Sequence, residues 1–155
     1  MTTQVSLITL LLTSVWLVAC TLQLDPEETK VALENRWQAF SAAWEAKNAE
    51  GCANFYTLQG QNKVGDNDPE IGRLAITDFY RQLFSENLSG DYNHYLDSIR
   101  IEGETVTEFG QFEVEWTRND STSWYFKANS TTTWVKGSQK EWEIEKFHFI
   151  PVEQH

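Results

Sequence analysis

Between Val31 and Tyr56 the chain reads VALENRWQAFSAAWEAKNAEGCANFY, and Leu33, Trp37, Phe40 and Trp44 recur at intervals of four, three and four. That spacing lines one face of a helix. Asp25 as N-cap, Pro26 at the first helical position and Glu28 at the third predict a start near residue 26, with the helix running to about 47. A stripe holding two tryptophans and a phenylalanine needs a wide concave surface to lie in. Asn48 is placed to cap a second, short helix carrying Cys52, Ala53, Phe55 and Tyr56. Residues 60–68 are polar and rich in turn formers, which predicts an irregular loop with at most one short strand. Leu74, Ile76, Phe79, Tyr80, Leu83 and Phe84 mark a third helix over residues 73–85, broken by residues 87–91. From Tyr92 onward the period is two. Tyr95, Ile99 and Ile101 mark a strand, 102–104 a hairpin turn and 106–116 the returning strand. On that strand Gly110, Phe112, Val114 and Trp116 share a face, opposite Gln111, Glu113 and Glu115. Further strands are predicted at 124–135 and 141–150. Three helices followed by about four antiparallel strands make an α+β domain.

Residues 6–19, SLITLLLTSVWLVA, are uncharged and too short to span a bilayer comfortably, which suits the core of a signal peptide. The run ends in Leu17–Val18–Ala19–Cys20, which resembles a bacterial lipobox. That resemblance implies cleavage before Cys20 and acylation of it by several chains, palmitate among them, enough for stable anchorage in the bilayer. Thr21 after the cysteine points by the same resemblance to the outer membrane, with the domain facing the periplasm. The expected organisation is a signal peptide at 1–19, a lipidated tether at 20–27 and one domain at 28–151. An ordinary secretory signal or an uncleaved anchor stays open, because residues 1–5 contain no Lys or Arg.

Charge narrows the partners. Asp and Glu number 23 against 12 Lys and Arg, for a formal net charge of −11. A surface so acidic repels nucleic acid and anionic lipid, so the membrane link must be hydrophobic or covalent. With Cys20 acylated, Cys52 lacks a partner and is expected to be a buried, inert thiol. No Cys/His spacing suits a metal, and no cofactor is expected.

The segments GRLAITDFY, IRIEGETV and TTWVKGSQKEWEIEKFHF, in that order, resemble the nuclear transport factor 2-like superfamily, and within it the SnoaL-like group. The resemblance covers residues 28–149. It implies a cone in which helices and a curved sheet enclose a pocket, and frequent homodimerisation through the sheet. Candidate pocket residues are Tyr56, Arg73, Asn129, Thr132 and His148, with Asn54 and His94 beside them. His148 shares strand parity with Trp142 and Ile144, so it points into the cone if they do, unless a bulge intervenes. A structural role is the alternative for each: a strand-end histidine for His148, a sheet-surface one for His94, a cap or ion pair for Arg73. The ketosteroid isomerases of this superfamily use a carboxylate base with a Tyr and a protonated Asp as oxyanion hole. Those positions match approximately Val64, Phe40 and about Ser130–Thr131 here, so the isomerase set is missing. The preferred reading is a lipid-anchored domain that binds a small molecule or acts as a scaffold. A cyclase, hydratase or hydrolase using His148 or Glu113 is the second. The third is an envelope interaction module, which an exposed tryptophan on the outer sheet face would mark.

Overall fold

The computed structural model describes residues 24–152. In chain order the elements are α1 (Pro26–Glu45), α2 (Ala49–Ala53), β1 (Tyr56–Val64), β2 (Glu70–Ile71), α3 (Gly72–Ser85), β3 (Asn87–Glu102), β4 (Thr105–Arg118), β5 (Ser123–Lys136) and β6 (Trp142–Pro151). They form one curved, open sheet in the order β2-β1-β6-β5-β4-β3, with the helices on its concave side. Only the β1–β6 pairing is parallel within that sheet. The expected α+β architecture holds, with six strands rather than about four.

α1 starts as its sequence dictates. Asp25 Oδ1 accepts from Glu28 N at 2.9 Å, and Pro26 occupies the first turn. It stops at Glu45, two residues before the expected end, because Lys47 turns left-handed with φ 51°. Asn48 then caps α2, accepting from Gly51 N at 2.9 Å. Leu33, Trp37, Phe40 and Trp44 are all buried, so the stripe is the helix's core face.

Two local expectations give way. Of residues 60–68, expected as a loop with at most one short strand, 60–64 belong to the nine-residue β1, whose polar sequence YTLQGQNKV hides a strand, and 65–68 form the turn that follows. β1 is held by parallel pairing with β6, some eighty residues later in the chain, and such pairing overrides local propensity. Its register slips between Tyr56 and Gln61. Gly60 sits in that slip, where a Cβ would lie 2.8 Å from Tyr56 Cβ and 3.0 Å from the Ile144 carbonyl oxygen. Any larger residue would push β1 off β6. Residues 87–91 follow the end of α3 as expected, but they already belong to β3, which starts at Asn87 and not at Tyr92. Asn87 is buried, and its amide donates to Leu83 O at 2.9 Å, closing α3 as the strand starts.

β4 alternates as predicted, and the six tryptophans of the described domain all point inward. Trp37, Trp44, Trp116, Trp134 and Trp142 are buried and Trp124 is half-buried, so none marks the outer face. That face exposes Tyr95, Phe109, Tyr125 and Ile150 instead. On β6 the partners run Trp134↔Ile144 and then Thr133↔Lys146, leaving Glu145 as an extra residue. Trp142 and Ile144 face the core before this bulge, and Phe147 and Phe149 face it after.

Candidate ligand cavity and a buried carboxylate cluster

The concave face of β4 carries Val106, Glu108, Gly110, Phe112, Val114 and Trp116, all buried. The acid among them is the anomaly. Glu108 is 0% exposed, and Trp37 Nε1 donates to its two carboxylate oxygens at 3.0 and 2.9 Å. Trp134 Nε1 donates to Oε2 at 2.7 Å, and His94 Nε2 lies 2.6 Å from Oε1. His94 Nδ1 is 3.0 Å from the Tyr92 hydroxyl, and its ring stacks on Trp37 at 3.8 Å. A carboxylate can sit in a core only when its lone pairs meet donors, and here they do from three side chains. Since a carboxylate oxygen only accepts, the pattern places a proton on His94 Nε2, with Tyr92 O–H donating to Nδ1. Burial, followed by the charges of Tyr56 and Glu108, pushes the Tyr92 hydroxyl well above the ordinary tyrosine range, which keeps it a donor. Gly110 makes the pairing possible. A Cβ there would lie 2.5 Å from Tyr95 O and 3.3 Å from His94 Nε2, so only glycine admits this close approach of β3.

A broad polar groove runs between β3 and the face of α1 carrying Glu34, Gln38, Ser41 and Glu45, and Trp37, Tyr92 and His94 of the cluster belong to its lining. The His94 and Glu108 side chains beneath it are 1% and 0% exposed. The pair therefore fixes α1 to the sheet and does not meet solvent.

Toward the C-terminal end of α1 the concave face is left partly uncovered. There a cavity of about 190 Å³ opens between α3, β1 and the sheet. Val64, Phe79, Leu83, Trp124 and Phe126 are half-buried and form its mouth, while Trp44, Phe112 and Val114 lie deeper. Its lining side chains are aromatic or aliphatic throughout; among the described residues no carboxylate, imidazole or amine faces it. Its two tyrosines spend their hydroxyls elsewhere: Tyr80 bonds Tyr56 at 2.9 Å and Tyr92 bonds His94. Such a wall offers no acid or base. It offers a dry apolar volume, and an apolar cavity of about 150 Å³ is known to admit benzene.

The residues expected to line the pocket lie elsewhere. His148 is on the outer face, because the Glu145 bulge reverses the parity set by Ile144, and its Nε2 is 2.9 Å from Gly65 O. Asn129 is exposed on that same outer face. Thr132 is buried on the concave side beside Glu108, outside the cavity lining. Tyr56 is fully buried; it donates to Asn62 Oδ1 at 3.3 Å and receives the Tyr80 hydroxyl proton. Arg73 Nε donates to Tyr56 O at 2.7 Å and its guanidinium reaches Glu143, so it is a structural clamp. Asn54 ends α2. Glu113 lies on the outer face, where hydrogen bonds from Lys127 and then Tyr125 hold its carboxyl below the usual range. The His94 side chain, a pocket candidate with the sheet surface as its alternative, is buried against Glu108, neither on the outer surface nor in the cavity lining. A signal for it existed: Glu108 falls on the apolar parity of β4, and an acid there must have a buried partner. Cys52 is buried and its thiol is pushed up to about 12 by desolvation, so it is inert. Cys20 lies outside the described residues.

Tyr56, Tyr80 and Tyr92 share one consequence. Burial raises the pKa of all three hydroxyls above the ordinary tyrosine range. Above about pH 10 the unfolded chain loses these protons and the folded chain keeps them, so stability falls as pH rises. Each group contributes a slope of about −1.4 kcal/mol per pH unit there. Urea unfolding between pH 9 and 11 should show this decline, and Tyr56→Phe should flatten it by one group's share.

No family model and no curated protein sequence matches the chain. Solved structures do. A protein from Novosphingobium aromaticivorans, provisionally assigned as a scytalone dehydratase, superposes with TM-score 0.75 at 11% identity, covering 82% of this chain and 86% of that one. A ketosteroid isomerase-like protein from Erwinia carotovora atroseptica gives 0.68 at 11% identity, with 80% and 96% covered. A conserved protein from Planctomyces limnophilus gives 0.73 at 9%, with 81% and 98% covered. At these identities the likeness concerns backbone architecture alone. Helices laid into a curved open sheet, and these superpositions over four-fifths of the chain, make this the nuclear transport factor 2-like cone fold.

Proposed function

We propose that the protein is a lipid-anchored, SnoaL-like domain of the bacterial cell envelope that binds a small apolar molecule in its cone without acting on it chemically. The observation that carries this reading is the cavity wall, which has volume for a ring-sized guest and, among the described residues, no carboxylate, imidazole or amine in its lining, its two tyrosine hydroxyls being bonded to Tyr56 and His94. Val64, at the position that the isomerase resemblance matches to a catalytic base, is one of those apolar lining residues. An enzyme built on His148 loses its basis, since that imidazole lies across the sheet from the cavity.

Toluene is a suitable probe. At ten times its Kd, a guest that binds only the folded state adds about 1.4 kcal/mol of stability. The full chain should show the corresponding rise in Tm, and Val114→Phe, which fills the cavity from its deep side, should abolish it. An equal rise in that variant would mean toluene binds elsewhere.

Anchorage rests on the run ending in Leu17–Val18–Ala19–Cys20. Cys20→Ser should give an uncleaved precursor that takes up no radiolabelled palmitate in cells; normal labelling would end this part of the proposal. The exposed Tyr95, Phe109, Tyr125 and Ile150 support a homodimer through the outer sheet face. Phe109→Glu should then convert the chain to a monomer in analytical ultracentrifugation.

A further inference from the structure

The strand alternation that builds the cavity wall does not stop at Trp116. The next residue of β4 on the concave face is Arg118, at the strand's exposed end. Its guanidinium lies over the ring of Trp124, 5.3 Å from the centroid, and Trp124 is part of the cavity mouth. Among the described residues, Arg36, Arg73, Arg81 and Arg100 each have a carboxylate within ion-pair distance, and Arg118 has none. Asp120, two residues on, feels the Arg118 charge but gives its Oδ1 to Thr122 N at 2.9 Å and Thr122 Oγ1 at 2.6 Å. A second cation stands close by. Lys47 Nζ donates to the Asn87 carbonyl at 2.6 Å, Asn87 is the cross-strand partner of Arg118, and its side chain accepts from Trp124 Nε1 at 3.4 Å. In a chain of net charge −11, an arginine without an ion-pair partner over a ring of the cavity mouth, with a lysine bonded to its cross-strand neighbour, is a specific arrangement.

We propose that the guest is a small amphipathic carboxylate, its apolar body inside the cone and its head on the Arg118 guanidinium. This rests on the cavity reading above and adds the charge of the ligand to it. A guanidinium presents a fork of donors that matches a carboxylate in two-point contact. Stacking on Trp124 holds that fork in place beside the mouth, so less freedom is lost on binding.

The probes are 3-phenylpropionate and 3-phenylpropanol, which share a body and differ in the head. Binding to the full chain in phosphatidylcholine nanodiscs is followed by titration calorimetry, with tryptophan fluorescence as a second readout because Trp44, Trp116 and Trp124 line the cavity. Wild type should bind the acid about tenfold more tightly than the alcohol, as one charge-assisted contact supplies. That preference should shrink as salt is raised. Arg118→Gln should erase it while leaving the alcohol's affinity unchanged, which also shows that the variant is folded; Arg118→Lys should keep part of it. Equal binding of both compounds by wild type, or an undiminished preference in Arg118→Gln, overturns the assignment and leaves the cavity reading standing. Failure of both compounds to bind overturns the two together.

Discussion

Replacing Glu108 with leucine is expected to cost at least about 3 kcal/mol of folding stability, since three buried donors each lose their acceptor at about 1–3 kcal/mol apiece. Leucine cannot accept a hydrogen bond, so Trp37 Nε1, Trp134 Nε1 and the His94 proton would all be stranded in a core that water does not reach. Glu108→Gln should fall between wild type and leucine, because its amide oxygen keeps one acceptor while its NH₂ faces other donors. Denaturant unfolding reads both values. A loss under about 1 kcal/mol for the leucine variant, as at an ordinary surface site, would mean that the carboxylate is hydrated and the cluster is not as described.

Truncating Trp44 to alanine should be comparably severe, at about 3–5 kcal/mol. Its indole packs against Phe40, Tyr80, Phe84, Tyr92 and Trp116, joining α1 to α3 and to the sheet. The same side chain lines the cavity, so the substitution also enlarges the cavity. Trp44→Ala should therefore gain affinity for a two-ring guest such as naphthalene while losing stability, a pair of changes that no surface site would produce. Trp44→Phe should recover part of the stability. A cost below about 1 kcal/mol would place Trp44 outside the core.

These two residues also separate what the chain declares locally from what it does not. Trp44 is visible from spacing alone, because an amphipathic helix announces its buried face every three or four residues. The alternation of β4 is equally plain, and with it the wall from Phe112 to Trp116. Helix starts at Asp25 and Asn48 follow from side chains that bond their own first turns. Each of these is decided within a few residues of chain.

The site depends on distant contacts. β1 is a strand because β6 lies beside it, and nothing in TLQGQNKV demands that. His148 was expected in the cone by counting twos from Ile144. A single extra residue at Glu145 sends it to the other side, since a one-residue slip exchanges the two faces of a strand. His94 and Glu108 meet only because Gly110 lets β3 close onto β4 while α1 brings the Trp37 indole down from above. Helical and strand periodicity, caps and the acidic surface are written in neighbouring residues. Register, bulges and the empty volume between Trp44 and Phe126 are set by pairings between segments far apart in the chain, and those exist only once it has folded.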